Sequence, residues 1–131
     1  MGSHEEAAPV SKKMLWAGWI TSALPILMLL VSGVMKLARP DNVVKEFTRL
    51  GYDENIALGL GIVEIACTII YLIPQTSVLG AILLTGYLGG AVATHVRIGD
   101  QFIPPIVFGV LLWLGLYLRD ARLRALIPLR N

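Results

Sequence analysis

Residues Ile56 to Ile73 read IALGLGIVEIACTIIYLI, an 18-residue apolar run broken by one charge, Glu64. A bilayer core of ~30 Å is crossed by about 20 helical residues rising ~1.5 Å each, so this run has the length of a membrane span. Backbone groups cannot stay unpaired in hydrocarbon and the alternating pattern of a barrel strand is absent, which makes the run a helix. At steps of three and four, Ala57, Gly61, Glu64, Thr68 and Tyr71 share one small or polar face, while Ile62, Ile65, Ile69 and Ile73 serve the others. An ionised carboxylate at mid-span costs about 2.5 to 3.5 kcal/mol even on a lenient insertion scale. Glu64 is therefore expected to face the protein interior and to be neutral, paired or hydrated there.

Three further apolar runs flank this one: Met14 to Met35, Ser77 to Val96 and Phe102 to Leu118, of 22, 20 and 17 residues. All four are expected to span. The chain of 131 residues is 56% hydrophobic and 15% charged, with a mean hydropathy of +0.71, and so lacks the polar residues to cover a soluble domain. The expected fold is all-α, a transmembrane four-helix bundle in residues 14–126. It follows a disordered polar tail, residues 1–13, and precedes a C-terminal tail, residues 127–131. The first run exceeds a signal-peptide core and no small-residue cleavage pair follows, so it is read as a retained span. Pro25 is expected to kink it beside Thr21 and Ser22.

The connection between the first two runs carries Val43, Val44, Phe47 and Leu50 at helical spacing, with Asp41 placed to cap and Gly51 to terminate. A short interfacial helix follows, either covering the bundle end or acting as a lid. Four spans put Lys12, Lys13, Arg119, Arg122, Arg124 and Arg130 on one side, and Lys36, Arg39, Lys45, Arg49 and Arg97 on the other. The basic tail after Leu118 then favours both termini in the cytoplasm and location in the cell membrane. Trp16, Trp19 and Tyr117 suit interfacial anchors on that side.

Depth selects the partners of Glu64, which lies ~12 Å below the outer end of its span at ~1.5 Å per residue. Tyr87 falls at ~13 Å and Ser32 at ~7 Å on the same measure. The expected arrangement is a funnel with Lys36 and His95 at the mouth, Ser32 and Thr94 on the wall, and Glu64 and Tyr87 at the floor. Glu64 and His95 are the candidate catalytic residues; Lys36, Ser32, Tyr87 and Thr94 are candidate ligand contacts. The plainer readings stand beside these: a protonated Glu64 joining two helices, a snorkelling Lys36, and a rim His95 bonded to a carbonyl. Gly86 and Gly90, with Gly89 and Ala93, form a small-residue stripe read first as helix packing.

Other chemistries lack support in the sequence. There is no GxGxxG, Walker loop or HExxH, so neither nucleotide nor metal is expected. A formal charge of +2 without an aromatic-laced basic stripe excludes nucleic acid as a partner. Cys67 is the lone cysteine; it forms no intrachain disulfide and, in an apolar setting, is an inert thiol.

Several stretches resemble the DoxX-like family of small four-helix membrane proteins. They are Ser32-Gly33-Val34-Met35-Lys36-Leu37 with Pro40, Leu60-Gly61-Ile62-Val63-Glu64-Ile65, Leu84 to Arg97 (LTGYLGGAVATHVR), and Trp113-Leu114-Gly115-Leu116 before Arg119-Asp120. The likeness covers roughly Leu15 to Leu126 and implies a four-span bundle with a link to quinone or thiol redox chemistry. It brings no catalytic set. Three functions follow as expectations: a redox accessory holding quinone or a similar lipophile, an intramembrane isomerase using Glu64 as acid or base, and a structural subunit. Besides the lipid bilayer, a membrane or redox protein and a second copy of the chain remain open as partners.

Overall fold

The computed structural model describes residues 10–129, the Glu54 side chain excepted. The expected N-terminal tail and the Arg130 charge therefore lie largely or wholly outside the described residues. Six α-helices follow one another: α1 (Lys12–Ala38), α2 (Asp41–Leu50), α3 (Glu54–Leu72), α4 (Ser77–Arg97), α5 (Ile103–Arg119) and α6 (Ala121–Leu126), with a 3-10 turn at Pro74–Thr76. Among the described residues there is no strand. Lys12–Ala38, Asn55–Leu72 and Pro74–Arg97 are long and apolar enough to cross a membrane, and Ile103–Arg119 is a shorter apolar helix of 17 residues.

Local chemistry sets the boundaries. Ser11 caps α1 by accepting from the Met14 amide at 3.2 Å, and Asp53 accepts from the Asn55 amide at 3.0 Å at the start of α3. Asp41 is not the cap of α2: Pro40, with its φ held at −64°, takes that place and Asp41 is the first helical residue. Its charge there faces the positive end of the helix. Gly51 ends α2 at φ 85°, a left-handed conformation that glycine adopts without a Cβ clash. The helix α1 is unbroken through Pro25. The segment after Leu118, expected as a tail, folds into α6 because Asp120 caps it, accepting from Arg122 and Leu123 amides at 2.9 and 3.2 Å.

Each of α1, α3, α4 and α5 packs against two of the others, in the cyclic order α1, α3, α4, α5. Glycines decide where the backbones meet. A Cβ on Gly61 would come within 2.9 Å of the Gly33 carbonyl, and one on Gly115 within 2.8 Å of the Gly18 carbonyl. A Cβ on Gly80 would collide with the Tyr71 backbone. By contrast nothing lies within 4 Å of a Cβ on Gly86, Gly89 or Gly90. The expected packing stripe makes no close helix contact inside the chain: all three glycines are exposed on α4.

Burial is uneven along the helices. Residues buried on α4 are Ser77, Gly80, Ala81, Leu84 and Leu88, and on α5 Leu112, Gly115 and Leu116. Both sets lie toward the end where α1 begins and α5 finishes, here called the termini end. Tyr71, with no exposure, donates its hydroxyl to the Leu112 carbonyl at 2.6 Å and lies 3.0 Å from Ser22 Oγ, tying three helices. Toward the opposite end, where α2 lies, α4 and α5 diverge from full burial.

Gly80→Ala is expected to destabilise the protein by about 1 to 3 kcal/mol, because an added methyl must push apart α3 and α4 at the Tyr71 backbone. Gly90→Ala should stay within about 0.5 kcal/mol of the parent. Unfolding of both variants in one detergent measures the difference.

Candidate functional site

Glu64 is 2% exposed and sits on the inward face of α3, where Ala57, Gly61, Thr68 and Tyr71 are also buried. Three donors converge on one of its oxygens. Lys36 Nζ lies 2.9 Å from Oε2, Tyr87 donates its hydroxyl at 3.1 Å, and Ser32 donates at 3.3 Å. Lys36 also donates to Ser32 Oγ at 2.6 Å and stands 5.8 Å from the Tyr87 ring centroid. The Gly33 and Gly61 contact brings α1 close enough to α3 for this pair to form. Side chains on a helix lean toward its N-terminus, so Lys36, near the C-terminal end of α1, leans back along the helix toward Ser32 and Glu64. It reaches inward to the carboxylate and does not snorkel outward; its side chain is 16% exposed.

The other carboxylate oxygen, Oε1, has no hydrogen-bond partner among the described residues. It is also absent from the completely enclosed unpaired atoms, which among the described residues comprise Arg119 Nε alone. The small accessible part of Glu64 therefore includes a free acceptor. Lys36 has three N–H groups and commits two, which leaves a donor beside it.

Thr94 and His95 are not part of this cluster. Thr94 Oγ1 lies 2.9 Å from the Tyr52 hydroxyl and donates to the Gly90 carbonyl at 2.9 Å. His95 Nδ1 bonds the Ala91 carbonyl at 2.7 Å, and its Nε2 lies 3.8 Å from Asp100. Both sit about two helical turns beyond Tyr87 on α4, level with α2. They belong to a second constellation that fastens α2 to the end of α4 and the following loop. There Arg49 pairs with Asp100 at 2.7 Å and with Glu46, while Arg97 donates to the Leu50 carbonyl. Phe47 and Leu50 are buried beneath it. Glu46, His95 and Asp100 bring ligand-type atoms within 4.8 Å of one another, but Arg49 already bridges the two carboxylates, so the group works as an ionic clamp. Arg49, Tyr52 and Asp100 escaped sequence reasoning, because their meeting depends on where α2 lies.

A groove of about 430 Å³ runs between α4 and α5 toward the α2 end, lined by Leu88, Gly89, Val92, Pro105, Gly109 and Trp113 among others. Trp113 Nε1 donates to Thr85 Oγ1 at 2.7 Å on its wall. The groove and the polar cluster meet α4 on adjacent residues: Tyr87 turns to Glu64 and Leu88 lines the groove.

A model of the DoxX-like family matches residues 20–115, and the chain belongs to that family. With its apolar helices, it is a small multi-pass membrane protein. Comparison with the curated proteins and with the solved structures gave no match.

Lys36→Met is expected to cost about 3 to 5 kcal/mol, since it strands a buried carboxylate, whereas the double change Lys36→Met with Glu64→Leu should recover most of that loss. Denaturation in detergent checks both. The clamp gives a pH prediction. Hydrogen bonding to Arg49 holds the carboxyls of Glu46 and Asp100 below the ordinary range. Their values in the docked helix are thus lower than when α2 is detached, so the stabilisation is present above about pH 4 and lost as pH falls further. A spin label at position 48, in a chain with Cys67→Ala, should gain mobility below that pH and keep its order near neutrality.

Proposed function

We propose that this protein binds a lipophilic molecule with a carbonyl or hydroxyl head, of the quinone and quinol class, within a four-helix membrane bundle. In this reading α1, α3, α4 and α5 all cross the cell membrane, both termini are cytoplasmic, and α2 lies in the outer interface as a lid. The observation that carries it is the Glu64 carboxylate, buried, balanced by Lys36 and left with one free oxygen. An unclaimed acceptor next to a spare ammonium N–H suits a head that both donates and accepts, as the quinol and quinone states do. Tyr87 adds a hydroxyl, and the α4 and α5 groove beside Leu88 suits the apolar remainder. Glu64 and Lys36 can hold a proton between them at the head, which is the task of an accessory to membrane redox chemistry.

A second reading is a structural subunit without a ligand. It is favoured by the three donors on Oε2, which by themselves fix the register of α1 and α4 against α3.

Trp113 lines the groove and makes its occupancy measurable. A short-chain quinone added to protein in nanodiscs is expected to quench Trp113 fluorescence saturably in a chain with Trp16→Phe and Trp19→Phe. The double variant Lys36→Met with Glu64→Gln should weaken binding by about tenfold or more, and Gly109→Leu, which fills the groove, should abolish it. Quenching that is linear in quinone concentration and equal in all variants overturns the ligand reading in favour of the structural one.

A further inference from the structure

The termini end carries a cation that no described residue neutralises. The Arg119 guanidinium rests 3.9 Å from the Trp19 ring centroid and 5.2 Å from that of Tyr71. Its Nη2 reaches Ser22 Oγ at 3.5 Å, the limit of a hydrogen bond. Ser22 is already committed, donating to the Gly18 carbonyl at 2.9 Å and lying 3.0 Å from the Tyr71 hydroxyl. Nε is enclosed and has no partner. Nη1 also has no partner among the described residues, yet it is not an enclosed atom, so it is open to a ligand. No described carboxylate lies within ion-pair distance of Arg119. The adjacent Asp120 is occupied in capping α6, through Oδ1 and the amides of Arg122 and Leu123.

Aromatic faces offset part of a cation's charge but offer no strong acceptor for its N–H groups. The guanidinium is a planar cation with five N–H donors and no acceptor. It needs an anion, and the two-armed fork of arginine suits phosphate oxygens. The surroundings add to the demand. Lys12, Lys13, Arg122 and Arg124 lie at the same end against Asp120 alone among the described residues. Arg124 is spent on the last carbonyls of α5, donating to Tyr117 and Leu118 at 3.2 and 3.0 Å.

We propose that Arg119, seated on Trp19 between α1 and α5, binds the phosphate of an anionic phospholipid headgroup. The position favours lipid over free phosphate. Trp16, 69% exposed, and Trp19 mark the level at which indole rings meet headgroups, and exposed Leu15 and Ile20 flank them with apolar surface. The unspent lysines and Arg122 favour a headgroup with net negative charge, because a zwitterionic one brings a cation of its own. This site is separate from the Glu64 cluster and does not depend on the quinone reading.

Native mass spectrometry of the delipidated full chain, titrated with phosphatidylglycerol, phosphatidylcholine or inorganic phosphate, tests the proposal. Phosphatidylglycerol should be retained through detergent activation and phosphatidylcholine lost. Arg119→Gln should lower the bound fraction about tenfold, the loss of one charge-assisted contact, while Lys45→Gln, exposed on α2 at the opposite end, should change it less than about twofold. Arg119→Lys keeps the charge without the fork and should fall between, which preserves the test if Arg119→Gln fails to fold. Equal retention of the two lipids, or undiminished phosphatidylglycerol binding by both folded Arg119 variants, overturns the proposal. Displacement of phosphatidylglycerol by millimolar inorganic phosphate also overturns it, by assigning the site to the free ion.

Discussion

The ion pair between Lys36 and Glu64 is the constraint around which the rest of this structure is arranged. A carboxylate at the middle of an apolar helix is tolerable only when a counter-charge reaches it, and the reach of a lysine is limited to a few ångströms beyond its own helix. The backbones of α1 and α3 must therefore approach closely, and the bare surfaces of Gly33 and Gly61 permit that. Once the pair is made, Ser32 and Tyr87 complete the coordination of one oxygen and draw α4 into the same layer. The polar cluster is thus both a fastener and the source of chemically available groups.

Two ends of the molecule then follow different rules. At the termini end, packing is close: Tyr71 ties α1, α3 and α5, and Gly18, Gly80 and Gly115 let backbones touch. At the other end full burial on α4 stops at Leu88 and on α5 begins only at Leu112. There, beside the Gly33 and Gly61 contact and the buried Phe47 and Leu50, α2 and the turn after it are held by ionic and polar contacts from Arg49, Tyr52 and the Leu50 carbonyl. Such contacts are weaker and sensitive to salt and pH, while dispersion between touching helices is not. The same chain combines a close-packed base with an α2 fastened largely by charged and polar side chains.

Much of this was legible in the residues. The four long apolar helices emerge from run length, and the partnership of Glu64 with Tyr87 from depth, because helical rise is constant and antiparallel order converts sequence position into height. The inward face of α3 was legible from the three-and-four spacing of Ala57, Gly61, Glu64, Thr68 and Tyr71. Rotation about a helix axis was harder. Gly86 and Gly90 carry the spacing associated with close packing but face outward, whereas the glycines in contact, Gly33 with Gly61 and Gly18 with Gly115, lie on different helices and show no motif. Of the expected funnel wall and mouth, Thr94 and His95 stand apart: His95 is the rim residue on a carbonyl of the plainer reading, and their other partners, Tyr52 and Asp100, come from the turns after α2 and α4, whose docking no periodicity encodes. Arg119 counted only as a basic tail residue, because its stacking on Trp19 joins opposite ends of the sequence.

The unequal lengths of the helices bear on the surrounding lipid. At ~1.5 Å per residue, the 27 residues of α1 extend about 40 Å and the 17 of α5 about 25 Å. In the proposed four-span reading α5 crosses beside α1, and the leaflets would then pinch locally along one flank, a deformation whose cost grows with each ångström of mismatch. On that reading the asymmetry would give the α5 side a preferred hydrocarbon thickness, and so a physical basis for sorting toward thinner regions of a membrane.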